Sequence, residues 1–398
     1  MKINKVANWA VVLLALSFGN TTWAQDEAAP AAPDKQTAQA AYDKAEGEYQ
    51  EVLKEIVALR SQFEDSDDAR RKEINTELQP LIAKAREKVA NWTMAALDLY
   101  KAAPNENEDV SNLLVGMSQH LVVGSPAPGG TGGNFVGGDQ FEEALPIIKA
   151  LIEGGHPEKS LYLWGGVAAV CVGEIDTAEK YLNQAKESGA MGEQNEFTMQ
   201  AMSYLQNIET FRKEWEAEQK IREAEAKADN LPRVKFTTTK GEIVIELFED
   251  QAPIATANMI TLVKDGFYKD VVFHRVLPHF MAQGGDPTGT GSGGPGYSIP
   301  CECYEPDARK HFRGTISMAH AGRDTGGSQF FLCFVPTNFL NGRHTAFGRV
   351  VEGIEVLGKL QRIDPSASGP FPTPDKILKA EVIRDRGHAY DFDKLPER

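Results

Sequence analysis

Residues 273–296 read FHRVLPHFMAQGGDPTGTGSGGPG, and this stretch decides how the C-terminal half of the chain is interpreted. It brings together a guanidinium, an aromatic ring, a thioether and an amide, carried by Arg275, Phe280, Met281 and Gln283. It then enters a glycine-rich loop that has neither a helical nor a strand period. Such a set of side chains suits a proline ring and the carbonyl beside it, because a guanidinium presents rigid, permanently charged donors.

The surrounding sequence has the period of a β-rich domain. From residue 233, apolar and polar residues alternate across Lys240-Gly241, which predicts a β-hairpin. A helix is predicted from Pro253 to Val263, and further strand-like runs follow at 313–319, 328–335, 345–351 and 378–384. Short strands with glycine turns and few helices favour a closed antiparallel barrel.

Several motifs in a fixed order carry a family resemblance. They are Thr239–Leu247, Gly266-Phe267-Tyr268, Gly314–Gly322, Ser328-Gln329-Phe330-Phe331 and Leu340–His344. With the opening stretch, they make residues 233–387 resemble the cyclophilin family of peptidyl-prolyl cis/trans isomerases. The resemblance implies a closed antiparallel β-barrel with two flanking helices, and an enzyme that needs no cofactor and no metal.

The resemblance also implies a set of site residues. The catalytic set is Arg275, Phe280, Gln283, Phe331 and His344, and the substrate-binding set is Met281, Ala319, His320, Gln329, Phe339 and Leu340. Two positions depart from the usual family pattern, since His320 stands where Asn is commoner and Phe339 where many members have Trp. The implied substrates are proline-containing peptides.

Other chemistries receive less support from the same residues. Gly289–Gly294 fits the G-x-G-x-x-G pattern, but Pro295 follows in place of the helix that a dinucleotide site requires. A metal cluster would have to combine the irregularly spaced Cys301, Cys303, His311 and His320. No nucleophile-elbow motif of a hydrolase is present. His274 is interpreted as a hydrogen-bonded structural residue, with a general base as the alternative.

The N-terminal half predicts an all-α region. Apolar residues at three- and four-residue intervals predict a helical hairpin over 41–103. Within 109–229, the segments around Ala144 and Ala178 resemble each other at the 34-residue period of tetratricopeptide repeats. The region therefore resembles a tetratricopeptide array, with an unrelated helical bundle as the alternative. Such arrays bind peptides or proteins on a concave face, so a protein partner is expected there.

The first residues indicate export. Lys2 and Lys5 precede a short apolar run, and Ala24 offers a small residue for cleavage, so residues 1–24 are predicted to be a signal peptide. An uncleaved anchor is the alternative, although the run is short for a stable membrane span. Residues 25–40 are interpreted as an Ala/Pro-rich linker and 388–398 as a tail. A periplasmic or secreted location follows from this interpretation.

The charge is distributed unevenly along the chain. The net charge is −15, and residues 25–232 hold 37 acidic against 20 basic residues. Because an acidic region repels phosphate backbones, nucleic acid is excluded as a partner. The chain is therefore predicted to be a peptidyl-prolyl isomerase that assists the folding of exported proteins and binds a partner or client through its helices. The alternative is a non-catalytic proline-peptide-binding or scaffold protein whose helical repeats carry the function.

Overall fold

The computed structural model describes residues 33–126, 135–368 and 371–397. The predicted signal peptide, residues 1–24, lies outside the described residues. Within these ranges no helix combines the length and the apolarity that crossing a bilayer requires.

Two long helices form a hairpin at the start of the described chain: α1, Lys35–Glu64, and α2, Asp68–Ala102. The rings of Tyr49 and Trp92 stack between them with centroids 5.3 Å apart. The hairpin covers the predicted span 41–103 but begins inside the predicted linker 25–40. Asp34 explains the early start, because its side chain accepts hydrogen bonds from two backbone N–H groups of the first turn and caps the helix.

Six further helices follow in the part of the helical region that the structure describes. They are α3 (Glu108–Val122), α4 (Phe141–Glu153), α5 (Ser160–Val172), α6 (Ile175–Glu187), α7 (Glu196–Gln206) and α8 (Ile208–Ala228), with the two-residue strands β1 (Ser125–Pro126) and β2 (Phe135–Val136) between α3 and α4. Close packing of α5 on α6 depends on Gly166, where a Cβ atom would lie only 2.6 Å from Leu182 Cδ2. The region is helical as predicted, and its identity as a tetratricopeptide array stays a prediction.

Among its described residues, the C-terminal domain is built on one antiparallel sheet of eight strands. They are β3 (Arg233–Thr238), β4 (Gly241–Leu247), β5 (Arg275–Leu277), β6 (Met281–Gly284), β7 (Thr315–Met318), β8 (Phe330–Cys333), β9 (Ala346–Glu352) and β10 (Ile377–Arg384). Their spatial order is β10-β3-β4-β9-β7-β8-β6-β5. Two helices flank the sheet, α9 (Pro253–Lys264) and α10 (Ile354–Lys359), and a 3₁₀ turn spans Asn338–Leu340.

The sheet is open, so the predicted closed barrel is wrong. Among the described residues, the edge strands β5 and β10 share no ladder. The coil before β5 meets the start of β10 through the bridge of Val272 with Lys376 and the backbone hydrogen bonds beside it, which join Asp270 and Val271 to Ile377 and Phe273 to Asp375. Coil occupies the outer edge of β5 instead, where Val276 and Ile363 exchange backbone hydrogen bonds of 2.8 and 2.9 Å. Those bonds engage the backbone N–H and C=O groups of Val276 on the outer edge of β5. The architecture is therefore an antiparallel half-barrel with helices.

The helical region packs on the sheet domain through buried ion pairs. The pairs are Arg309 with Glu218 and Glu225, Arg313 with Glu142, Arg349 with Glu225, and Arg362 with Asp139. Aromatic packing adds to them, since the Trp215 and Phe312 rings lie 5.0 Å apart. Buried charges require partners, so this contact is part of the fold.

Candidate active site

A cavity of about 530 Å³ opens on the face of the sheet domain that the β5–β6 hairpin and β8 border. Its volume is in the range of small-molecule and peptide clefts. The lining residues that the sequence predicted are Arg275, Phe280, Met281, Gln283, Ala319, His320, Gln329, Phe331, Leu340 and His344. Residues that lie far apart in the sequence therefore meet in one site.

The β5–β6 hairpin places the cation beside an aromatic wall. Arg275 lies opposite Gln283 in the strand register, and its Cζ atom is 5.8 Å from the centroid of the Phe280 ring. Within the described part of the chain, its guanidinium forms no ion pair or hydrogen bond. Its N–H donors are therefore available to a bound molecule.

Two amides connect this hairpin to the glycine-rich loop. Gln283 Nε2 donates to Gln329 Oε1 over 3.0 Å. Gln329 Nε2 in turn donates to the carbonyl oxygens of Gly291 and Gly293, at 3.0 and 2.9 Å. This chain of hydrogen bonds fixes the loop along one side of the cavity and fixes the orientation of both amides.

The floor of the cavity is apolar. Met281, Phe331 and Cys333 form a small buried cluster that is separate from the main core. Phe280, Ala319 and Leu340 pack against it. A five-membered aliphatic ring entering this seat would lose contact with water on most of its surface, which favours binding.

His344 is held as a neutral acceptor. Its Nδ1 lies 2.9 Å from the Met318 carbonyl oxygen, so Nδ1 carries the proton and Nε2 is left as the acceptor. Burial lowers the pKa of His344 below its ordinary value of 6.5. Its ring also meets the edge of Phe331 at 5.5 Å.

His320 fixes His344 from the other side. The two rings stack with centroids 4.1 Å apart. His320 Nε2 donates to the Arg343 carbonyl over 2.8 Å, while its Nδ1 accepts from the Gly322 N–H. Because both ring nitrogens are engaged, His320 presents its ring to the site and holds His344 in place.

Known proteins match this part of the chain. The family model for cyclophilin type peptidyl-prolyl cis-trans isomerase/CLD matches residues 233–382. A peptidyl-prolyl cis-trans isomerase of Helicobacter pylori is 52% identical over 150 residues, which cover 36% of this chain and 91% of that protein. The chain belongs to the cyclophilin-type peptidyl-prolyl cis-trans isomerases.

Two further relatives match lengths of this chain that are similar to or shorter than that of the Helicobacter protein. Peptidyl-prolyl cis-trans isomerase B of Bacillus subtilis is 53% identical over 123 residues, covering 31% of this chain and 85% of that protein. A cyclophilin of Cryptosporidium parvum, crystallised in the presence of the dipeptide Ala-Pro, is 34% identical. The match covers 38% of this chain and 99% of the Cryptosporidium chain, with a TM-score of 0.36. The residues that the family model matches, 233–382, do not include the helical region.

Phe339 is the one predicted site residue that the isomerase domain does not bring into the cavity. Its side chain is 60% exposed, and its ring packs on the outer side of Phe280 at 5.7 Å. The 3₁₀ turn directs Leu340 inward, so that Phe339 supports the aromatic wall from outside.

Several lining residues of the isomerase were not predicted. Among them are Tyr297, Ser298, Thr325 and Glu397. Tyr297 and Ser298 follow directly on the glycine-rich loop, and this adjacency is a signal that could have found them. Glu397 has no such signal, because it reaches the cavity only through the path of the C-terminal tail.

The remaining histidines do not take part in the isomerase site. His274 lies beneath the glycine-rich loop, and neither of its buried ring nitrogens has a hydrogen-bond partner in the described residues, so the predicted hydrogen bonds are absent. His311 is buried between Asn341 and Ser317, and burial lowers its pKa to about 4. Cys301 accepts from the Asp324 N–H. Within the described ranges, no three His, Cys, Asp or Glu side chains come together as a metal site.

Proposed function

We propose that this isomerase acts on X–Pro bonds of exported, incompletely folded proteins, and that Arg275 carries the catalysis. The observation behind this assignment is a guanidinium that has no ion-pair or hydrogen-bond partner among the described residues and lies at the edge of a buried apolar seat. The proline ring would occupy the seat formed by Phe280, Met281, Phe331 and Leu340. The peptide backbone would lie along Gln283, Ala319, Gln329 and His344.

The chemistry needs only selective stabilisation of a twisted amide. Resonance keeps the X–Pro bond planar, with a barrier of roughly 18–20 kcal/mol. When the bond twists, resonance is lost and the prolyl nitrogen becomes pyramidal. Arg275 would donate to that nitrogen or steady the neighbouring carbonyl, and so favour the twisted state over both planar ones.

The neighbouring groups would hold the peptide while the bond rotates. His344 Nε2 is an acceptor for a backbone N–H, because its Nδ1 is committed to Met318. Gln283 keeps its carbonyl oxygen for the same purpose, because its amide N–H is committed to Gln329. The apolar seat anchors one side of the rotating bond, and these acceptors anchor the other.

The decisive experiment compares the parent chain with Arg275→Ala on a short peptide that contains one X–Pro bond, using NMR exchange spectroscopy. We expect kcat/KM to fall roughly 100-fold, about 2.7 kcal/mol, which is comparable to the loss of one strong donor to a transition state. Arg60→Ala removes the same charge from an exposed position on α1, outside the cavity, and should retain full activity. Equal rates for the parent chain and Arg275→Ala would refute the role of Arg275.

The same variant distinguishes the proposed isomerase from the alternative, a non-catalytic binding or scaffold protein. If the helical region binds a partner or an unfolded client, Arg275→Ala should still suppress aggregation of a reduced, unfolded test protein. Loss of both activities in this variant would mean that the helices bind no client independently of the groove. Exposed methionines on α7, Met199 and Met202, support client binding, because flexible thioether side chains adapt to varied apolar surfaces.

Export is supported by the N-terminal sequence. Lys2 and Lys5, the apolar run after them and the small residue Ala24 fit a cleaved secretory signal. We expect mass spectrometry of the protein from its native cell envelope or medium to give a chain that begins at Gln25. A chain that keeps Met1 in the cytoplasmic fraction would contradict the proposal.

A further inference from the structure

The C-terminal tail runs along the rim of the cavity and is attached there. Ser298 and Leu395 exchange two backbone hydrogen bonds, of 3.0 and 2.8 Å. Three residues before Leu395, the Phe392 ring packs on Tyr297, with the two ring centroids 6.0 Å apart. Lys394 adds a cation–π contact, with its Nζ atom 4.3 Å from the Tyr297 centroid. Tyr297 and Ser298 both line the cavity, so the attachment point is part of the site wall.

This attachment brings one carboxylate to the site. Glu397 lines the cavity together with the glycine-rich loop. A Cβ atom added at Gly294 would lie 3.4 Å from Glu397 Oε1, so the carboxylate rests directly over the loop backbone. Because Gly294 has no side chain, the carboxylate remains open to the cavity.

Glu397 and Arg275 are the two charged groups among the lining residues, His320 and His344 aside. His344 is neutral near pH 7, since burial lowers its pKa. Arg275 stands at the proline seat, next to Phe280. Within residues 33–126, 135–368 and 371–397, no cation forms an ion pair with Glu397, and Lys394 faces the aromatic rings instead. The cavity thus has a cationic group at the proline seat and an anionic group at the glycine-rich loop.

We propose that Glu397 is a specificity-determining residue that favours X–Pro substrates with a Lys or Arg side chain close to the proline. The proposal rests on the assignment of this cavity as the isomerase groove. A basic side chain that leaves the peptide towards the glycine-rich loop meets the carboxylate, whereas an acidic side chain there is repelled. The tail thereby gives the groove a preference that its apolar seat cannot give.

The size of the preference follows from the exposure of the carboxylate. Glu397 is solvent-exposed, and exposed ion pairs favour the paired state roughly two- to fivefold. Salt screens such pairs, with a Debye length of about 10 Å at 0.1 M and about 3 Å at 1 M. The preference should therefore be clear at low ionic strength and largely absent in 1 M salt.

The test uses matched peptides with one X–Pro bond that carry Lys, Gln or Glu at single positions before or after the proline. In NMR exchange experiments, we expect the parent chain to give a Lys-to-Glu ratio of kcat/KM of about two to five at positions on one side of the proline. Glu397→Gln should bring this ratio close to one, and Glu397→Lys should invert it. Asp391→Asn, an equal charge change at an exposed tail position outside the cavity, should keep the parent ratio.

The outcomes separate this proposal from the one on which it rests. An equal Lys-to-Glu ratio in the parent chain and Glu397→Gln would overturn the role of Glu397. A preference of the same size on both sides of the proline would overturn it too, because that pattern indicates attraction by overall charge. The assignment of the groove is judged separately, by whether Arg275→Ala loses activity towards the neutral Gln peptide.

Discussion

The isomerase domain holds its arginines in two different ways on its two faces. On the groove face, Arg275 has no ion-pair partner in the described residues and stands beside an aromatic ring. On the face that meets the helices, Arg309, Arg313 and Arg362 are buried, and each is paired with an acid from the helical region. A cation that is to act on a substrate has to keep its donors free, whereas a buried structural cation has to be neutralised.

The comparison also shows what the acidity of the helical region does. Its excess of acids includes Asp139, Glu142, Glu218 and Glu225, which are the partners of the buried arginines. Without these helices, the isomerase domain would expose several cations and the aromatic surface around Phe312. The helical region therefore neutralises and covers this face of the isomerase domain.

Asp139 gives the strongest test of this interpretation. It is fully buried and accepts from Arg362 Nη2 at 2.8 Å and from the His279 backbone N–H at 3.1 Å. Burial by itself would raise the pKa of Asp139, but His279 and Arg362 outweigh burial and hold the pKa below its ordinary value. We expect Asp139→Ala to lower the free energy of unfolding by about 3–5 kcal/mol, because it leaves a buried guanidinium unpaired.

Urea unfolding of the full chain, followed by circular dichroism, measures this loss. Asp176→Ala is the matched control, because Asp176 pairs with Arg212 on the exposed surface of the same region and should cost no more than about 1 kcal/mol. If Asp139→Ala does not fold, Asp139→Asn, which keeps the shape and one acceptor oxygen, should show a smaller loss. An effect of Asp139→Ala no larger than that of Asp176→Ala would contradict the structural role of the buried pairs.

The two faces also differ in how far the sequence predicts them. Arg275, Phe280, Met281 and Gln283 lie within one short stretch, and their residue types already indicate a proline site. Arg362 and Asp139 are separated by 223 positions, and no periodicity or motif connects them. Pairs that form only through tertiary packing leave no local pattern, so the contact between the two regions could not be predicted.

The errors in the fold prediction have a similar origin. Strand-like runs predicted β3, β4 and β7 to β10, whereas β5 and β6 lie in a stretch for which no strand was predicted. Whether the edges of the sheet join depends on coil around Ile363, which has no period. The early start of α1 did have a local signal, since Asp34 is a good capping residue immediately before it. In the site, Glu397 was beyond prediction because backbone pairing of Leu395 with Ser298, almost a hundred residues away, delivers it.

Glu143 is one turn beyond Asp139 and is the unpaired counterpart in the same interface. It is 6% exposed, and its Oε2 atom has no hydrogen-bond partner among the described residues. Burial, together with the neighbouring charge of Glu142, raises the pKa of Glu143 from 4.5 to about 7, against the opposing effect of Arg313 and Lys359. This carboxyl therefore keeps its proton in the folded chain at pH values where a free glutamate has lost it.

The sign of the pH effect follows directly. Between about pH 4.5 and pH 7, the folded state holds a proton that the unfolded state releases, so the contribution of Glu143 to stability falls as the pH rises. Well above pH 7 the full penalty is present, about 3 kcal/mol. Glu143→Gln removes the titration, so its stability relative to the parent chain should rise through this window and then level off.

Urea unfolding at pH 5, 6, 7 and 8 measures the difference between Glu143→Gln and the parent chain. Glu153→Gln, at the exposed last residue of the same helix, serves as the control for removing one carboxylate, and it should change the stability by no more than about 0.5 kcal/mol. A constant offset for Glu143→Gln would mean that Glu143 is ionised in the folded chain throughout. The contrast between an ion-paired Asp139 and a protonated Glu143 would then fail. An arginine or lysine of this face would have to neutralise Glu143 as Arg362 neutralises Asp139.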